Sequence, residues 1–196
     1  MIPVSKAIAA IDRNIPELGT ERVALVDSVG RVLAENIVAD SDLPPFDRSQ
    51  MDGYAVRSRD TRKVPVNLLV VGESAAGNGW HNELKRGEAV RIMTGAPVPA
   101  GADAVQRLEL ARELNGFVSL IDTVPKKQSI VPKGAEIRKG EIVLRSGTLI
   151  TSEMIATPAA FGCAKLKVAK RPRISLVPTG SEIVPVDRKP SPDQIR

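Results

Sequence analysis

The chain carries 15 glycines and 15 prolines in 196 residues, spread so that its apolar runs stay short. Glycine weakens helix interiors and proline removes a backbone donor, so segments interrupted this often favour strands and turns over long helices. A strand-and-turn protein is expected rather than a helical bundle. Aromatic residues are 3% of the chain, which leaves Val, Ile, Leu and Ala to build the core. The length suits one domain or two small ones.

The formal net charge is +5 and the pI about 9.6. A basic balance admits an anionic ligand or partner. The cations are dispersed, and one Trp, one Tyr and three Phe give bases little to stack on. No nucleic-acid partner is expected, and a solvated basic face is the plainer account, including for Lys126, Lys127 and Lys133. Cys163 and His81 are the only residues of their kinds, which excludes an internal disulfide and a cysteine-based zinc site and argues against a Cys/His catalytic pair. Cys163 follows an apolar run and is expected to be buried rather than reactive. Lys6 and Arg13 interrupt the first apolar runs, so no signal peptide is visible, and no stretch reaches transmembrane length. The expected location is a reducing cytoplasm, with no membrane partner.

Val4, Ile8, Ile11 and Ile15 predict a helix over 4–15 with Ser5 as N-cap. Residues 23–26 predict a short strand, Ser28 caps a second helix through Ala34, and 37–39 is extended. This segment has too little apolar surface to fold alone and should pack on later parts of the chain, residues 141–168 offering a surface for the first helix. From Tyr54 to about Gly140 the pattern is one of short strands. They are expected from Tyr54 onward and at 64–71, 88–93, 103–108 and 117–121, with Asn115-Gly116 as a hairpin turn between the last two. Trp80 and His81 fall in a loop and read as surface residues. Residues 151–162 predict a helix capped by Thr151 or Ser152, stopped at Gly162 and kinked or shortened by Pro158. Strands are expected at 165–168 and 174–177, the latter ending at Thr179-Gly180, before a charged, proline-rich tail.

The segment with the most chemistry is Pro44-Pro45-Phe46-Asp47-Arg48-Ser49-Gln50-Met51-Asp52-Gly53-Tyr54-Ala55-Val56-Arg57. Paired prolines force extended backbone, and Asp52-Gly53 signals a turn through glycine's tolerance of positive φ. Asp47 and Asp52 thus stand on a rigid loop feeding a strand, a suitable mount for oxygen ligands to a metal or phosphate. Spacing alone favours an ordinary solvated turn. Residues 45–55, however, resemble the Pro-Phe-Asp-x-Ser-x-Met-Asp-Gly-Tyr-Ala run of the molybdopterin molybdenumtransferase family. Three further blocks resemble that family in order: residues 87–105, containing Thr94-Gly95-Ala96-Pro97, then 134–140 and 171–183.

The resemblance implies an α+β fold. A discontinuous first domain of helix and strand (1–50 and 141–168, elongated, for dimerisation) carries an inserted β-barrel-like domain (51–140). Residues 169–196 would then hold the first strand of an incomplete α/β pterin-binding domain. It implies molybdenum cofactor biosynthesis: Mg²⁺-dependent insertion of molybdate into adenylylated molybdopterin, with release of AMP. It also implies a homodimer, an anionic pterin substrate and the molybdopterin adenylyltransferase as a partner. Motif by motif it assigns catalysis to Asp52, Thr94, Glu136 and Glu182. Thr94, Gly95, Thr179 and Gly180 would bind the cofactor, and Asp52 and Glu182 the metal. Glu136 stands where the family has aspartate, Ala135 replaces a usual glutamate, and Ser181 a common aspartate. Without the resemblance, Thr94 reads as a turn residue and Glu182 as an exposed acid on an unfolded tail. Because only the start of a third domain is visible, the 196-residue chain by itself is expected to be inactive. Two alternatives stand beside this reading: a non-catalytic dimerisation or scaffold fragment, and a β-rich binding domain for an anionic metabolite.

Overall fold

The bias towards strands holds. The computed structural model describes residues 2–196. Helix α1 (Val4–Arg13) precedes strands β1 (Thr20–Ala24), β2 (Ile37–Val38), β3 (Arg48–Ser49), β4 (Gly53–Val56), β5 (Val66–Ser74), β6 (Glu88–Ile92), β7 (Ala104–Arg107), β8 (Ala111–Leu114), β9 (Phe117–Leu120), β10 (Ile130–Val131) and β11 (Ile142–Leu144). Helix α2 (Ala156–Ala160) and strand β12 (Lys165–Ala169) follow. No helix among the described residues is long and apolar enough to cross a membrane.

Six strands form a curled half-barrel in the order β7-β4-β6-β5-β9-β8, with β7 and β8 as open edges. The β5–β6 pair is parallel and the other pairings are antiparallel. Successive side chains point to opposite faces of a strand, and here both faces are covered. Tyr54 and Val56 join Leu68, Val118 and Leu120 on one face, while Ala55 joins Val90, Ile92 and Val105 on the other. All four residues of β4 are therefore buried. Each such Val or Leu stabilises the sheet by on the order of 1.5–3 kcal/mol.

Asn115-Gly116 does form a hairpin turn, with left-handed φ of 52° and 79°, as two-residue turns matching strand twist require. It joins β8 to β9 rather than the strand at 103–108: a 3₁₀ turn at Leu108–Leu110 ends β7, and β8 begins afterwards. Trp80 is not a mere surface residue. It is half-buried, packs on the Leu84–Val90 cluster, and presses so closely on β5 that a Cβ at Gly72 would meet its ring.

The N-terminal segment pairs with the later chain, as its thin apolar content requires. β1 is antiparallel to β12 and β2 to β11. Leu33, Ile37, Ile150, Leu166 and Val168 form the shared core, against which Cys163 is half-buried. Burial, then the charges of Glu35 and Asp40, push the Cys163 thiol up, away from the reactive thiolate.

Four expected elements differ. No helix spans 28–34; Ser28 is buried after a 3₁₀ turn at Leu25–Asp27, and its hydroxyl donates back to the Leu25 carbonyl at 2.6 Å. Ser5 does not cap α1, since Pro3 holds that position, and α1 buries none of its residues: Ile8 is 53% and Ile11 64% exposed. The helix at 151–162 is a 3₁₀ turn, Ser152–Ile155, running into α2; Pro158 keeps α2 to one short turn and a half, and Gly162 ends it at φ 71°. Residues 174–177 form no strand and stay exposed, because no neighbouring strand offers them a ladder. The tail beyond them is not unfolded: Val184 is buried, and the Glu182 carbonyl accepts from the Ile195 N–H at 2.7 Å.

Candidate functional site

The site grows from antiparallel register. β4 and β6 pair with Gly53 opposite Ile92, so Asp52 precedes β4 at the end where β6 gives way to Met93-Thr94, and Asp52 and Thr94 meet at that end of the half-barrel. Asp52 Oδ1 accepts the Thr94 backbone N–H at 2.6 Å and the Thr94 hydroxyl at 2.7 Å. Both residues are exposed. The two Thr94 bonds, the backbone one first, hold the Asp52 carboxyl below its ordinary value of 3.8. Asp52 is thus a fixed carboxylate, and its Oδ2 makes no hydrogen bond among the described residues.

Gly53 is needed here for a reason other than the turn expected of it. Its φ is not left-handed; it lies in β4, pressed on β7. A Cβ there would overlap the Gln106 carbonyl oxygen and stand 2.9 Å from its carbon. The glycine lets β7 close behind the strand that carries Asp52.

The threonine loop is held by β3. Gly95 takes a φ of 82° and donates its N–H to the Ser49 carbonyl at 2.9 Å, while Ser49 donates to Ala96 at 3.0 Å. Asp47 is structural in its contacts: Oδ1 accepts the Lys133 N–H at 2.8 Å. Glu136 meets Arg48 at 2.9 Å, half-exposed, so it reaches the same strand from the other side. Thr179, Gly180 and Glu182 belong to the irregular C-terminal segment and its first turn. No hydrogen bond or ion pair joins them to Asp52, Thr94 or Glu136 among the described residues.

Two hollows adjoin the loop. One, of about 430 Å³, is lined by Phe46, Gly77, Gly79, His81 and Pro97. The other, of about 370 Å³, includes Met51, Gln106, Arg107 and Gln128. His81 is exposed, as expected of a loop residue, and it also walls the first of these. Sequence reading also missed Glu113, which accepts the buried Tyr54 hydroxyl at 2.6 Å and pairs with Arg91. The Tyr54 bond first and Arg91 second hold Glu113 low, and burial raises Tyr54. The signal available was cross-strand: Tyr54 and Arg91 are register partners. Among the described residues no three His, Cys, Asp or Glu gather as a metal group. A single free carboxylate oxygen still fits Mg²⁺, which binds through one or two carboxylates and fills its shell with water and substrate phosphates.

A family model described as "MoeA N-terminal region (domain I and II)" matches residues 2–162. The molybdopterin molybdenumtransferase of Bacillus subtilis (strain 168) is 40% identical over 203 residues, covering 100% of this chain and 47% of the relative. That of Staphylococcus aureus (strain Mu50) is 38% identical over 190 residues, covering 95% of this chain and 45% of the relative. A crystal structure of the molybdopterin biosynthesis MoeA protein from Pyrococcus horikosii superposes with a TM-score of 0.89 at 35% identity, covering 100% of this chain and 51% of that one. The chain spans about half the length of the curated relatives it matches. With the motif blocks in order and the half-barrel in place, this chain belongs to the MoeA N-terminal family.

Proposed function

We propose that this chain supplies one wall of a site that inserts molybdate into adenylylated molybdopterin with release of AMP. The observation that carries the reading is the fixed, exposed Asp52 carboxylate with one oxygen unshared and the Thr94 hydroxyl beside it. Asp52 Oδ2 would hold Mg²⁺, whose charge stabilises negative charge building on a phosphate as it is cleaved. Thr94 keeps Asp52 ionised and correctly turned, and the Thr94-Gly95 backbone brings a close, unhindered surface to an oxyanion. Glu136, tied to Arg48, sets the charge at the far side of β3. Thr179, Gly180 and Glu182 would belong to the opposite wall. The resemblance brings that wall from the second subunit of a dimer, in keeping with the lack of any bond from these residues to Asp52 among the described residues. The division into a first domain (1–50 and 141–168), an insertion (51–140) and the start of a pterin-binding domain (169–196) goes with this reading.

The test is a chimera in which residues 1–196 replace the matching half of the Bacillus subtilis relative. Adenylylated molybdopterin, molybdate and Mg²⁺ should yield AMP, and Asp52→Ala in the same chimera should lose at least about a hundredfold, the scale of losing one electrostatic contact at a reacting group. A folded chimera whose rate survives Asp52→Ala would remove Asp52 from the chemistry.

A dimerisation module is the second reading, favoured by α1. Its Val4, Ile8 and Ile11 form an apolar stripe that stays more than half exposed among the described residues.

A further inference from the structure

At the opposite end of β4 and β6 from Asp52, a hollow of about 670 Å³ opens between residues 57–63 and the turn at Arg86-Gly87. Its walls carry Arg57, Arg59, Arg62, Lys63 and Arg86, with Asp60 as the one acid. Val66 and Leu68 give it an apolar floor. Asp60 is already engaged: its Oδ2 accepts the Gly87 N–H at 3.0 Å and lies 3.8 Å from Arg57 Nε, with a side chain only 8% exposed. Five cations against one acid leave a charge of +4. Arg59, Arg62, Lys63 and Arg86 are exposed and pair with no carboxylate among the described residues. Their mutual repulsion opposes folding, and no ion pair of theirs among the described residues offsets it.

We infer that this basin binds a small ligand bearing a diphosphate-type group. Two phosphates carry about three to four negative charges near neutral pH, which matches the four unpaired cations. Three of those four are arginines, whose planar forks engage phosphate oxygens in pairs. The volume lies within the ordinary range for small-molecule sites. No aromatic side chain lines the basin, so a stacked nucleic-acid strand is the poorer fit. The basin is separated from Asp52 by the length of β4, and the inference stands whether or not the chain takes part in molybdenum insertion.

Isothermal titration of the whole chain with inorganic pyrophosphate, in Mg²⁺-free buffer, tests it. Saturable binding to one site is expected, weakening as salt rises. Arg59→Glu combined with Arg86→Glu should weaken it by roughly tenfold or more, about 1.4 kcal/mol, while Asp52→Ala leaves it unchanged. Both variants alter exposed side chains, and a thermal melt verifies that they fold. The inference is overturned by absence of saturable heat, by equal affinity for sulfate, by equal loss in Asp52→Ala, or by a short oligothymidylate binding more tightly to the same residues.

Discussion

Gly53→Ala adds one methyl group and should damage this protein out of proportion to its size. The new Cβ would overlap the Gln106 carbonyl oxygen and lie 2.9 Å from the Gln106 carbon and 3.1 Å from Arg107 Cα, all of them backbone. No rotamer change relieves such a contact; β7 must move off β4, and their ladder from Gly53–Arg107 to Val56–Ala104 loosens with it. Forcing extra atoms into a close-packed interior costs typically about 1–3 kcal/mol, and a backbone-on-backbone clash belongs at the upper end. For a chain of this length each 1 kcal/mol moves Tm by about 2–4 °C, so a fall of about 6–12 °C is expected in a calorimetric melt. Gly77→Ala is the control. Gly77 has a φ of 78° with nothing within 4 Å of its would-be Cβ, so only left-handed strain, about 1–2 kcal/mol, applies. A Gly53→Ala protein melting as high as Gly77→Ala would refute the argument that close approach, rather than turn conformation, selects this glycine.

Other consequences can be checked independently. Because the Asp52 carboxyl is held below its ordinary 3.8, its bonds to Thr94 stabilise the fold above that pH and the contribution is lost as pH falls through the lower folded value. The stability gap between the wild type and Asp52→Ala, from urea melts, should therefore be open at pH 7 and close below about pH 3.8. Tyr54 is the chain's only tyrosine, so absorbance at alkaline pH reports it alone; burial and Glu113 should delay its ionisation beyond the ordinary 10.0 until the fold is lost, and Tyr54→Phe should cost about 1 kcal/mol. Replacing Ile8 and Ile11 with Glu should shift sedimentation from dimer to monomer at micromolar concentration, with little salt dependence in the wild type. A wild-type monomer at that concentration would leave α1 without its proposed role.

What the sequence disclosed was local chemistry. The strands at 54, 66, 88, 104 and 117 were legible because each is a short β-rich run bounded by turn residues, and Asn115-Gly116 because both of its residues must take left-handed φ. β8 was not, since Ala111–Leu114 has no strand signal beyond the partner that β9 supplies. Residues 174–177 show the converse: a strand-like run with no ladder to join stays irregular. The family motifs located Asp52 and Thr94, but not the hydrogen bonds between them, which depend on the β4–β6 register. Asp52-Gly53 carries the sequence signature of a turn, whereas the close approach of Gln106, 53 residues further along the chain, has no local trace.

The β4–β6 register is what aligns the site. A half-buried strand can slip by one residue only by turning its apolar face to water. β4 is protected twice over, because Tyr54 and Val56 belong to one core and Ala55 to another, so a slip would misplace side chains on both faces. The pairing Gly53–Ile92 is thereby fixed by burial, and Asp52 on one side and Met93-Thr94 on the other leave the sheet together at that end. Two exposed polar residues, 42 apart in sequence, owe their 2.6 Å contact to apolar packing in which neither takes part. Substitutions that shrink the Val56–Leu120 side of the core should therefore disturb the Asp52–Thr94 bond before they unfold the chain, while substitutions at Thr94 should leave the register untouched.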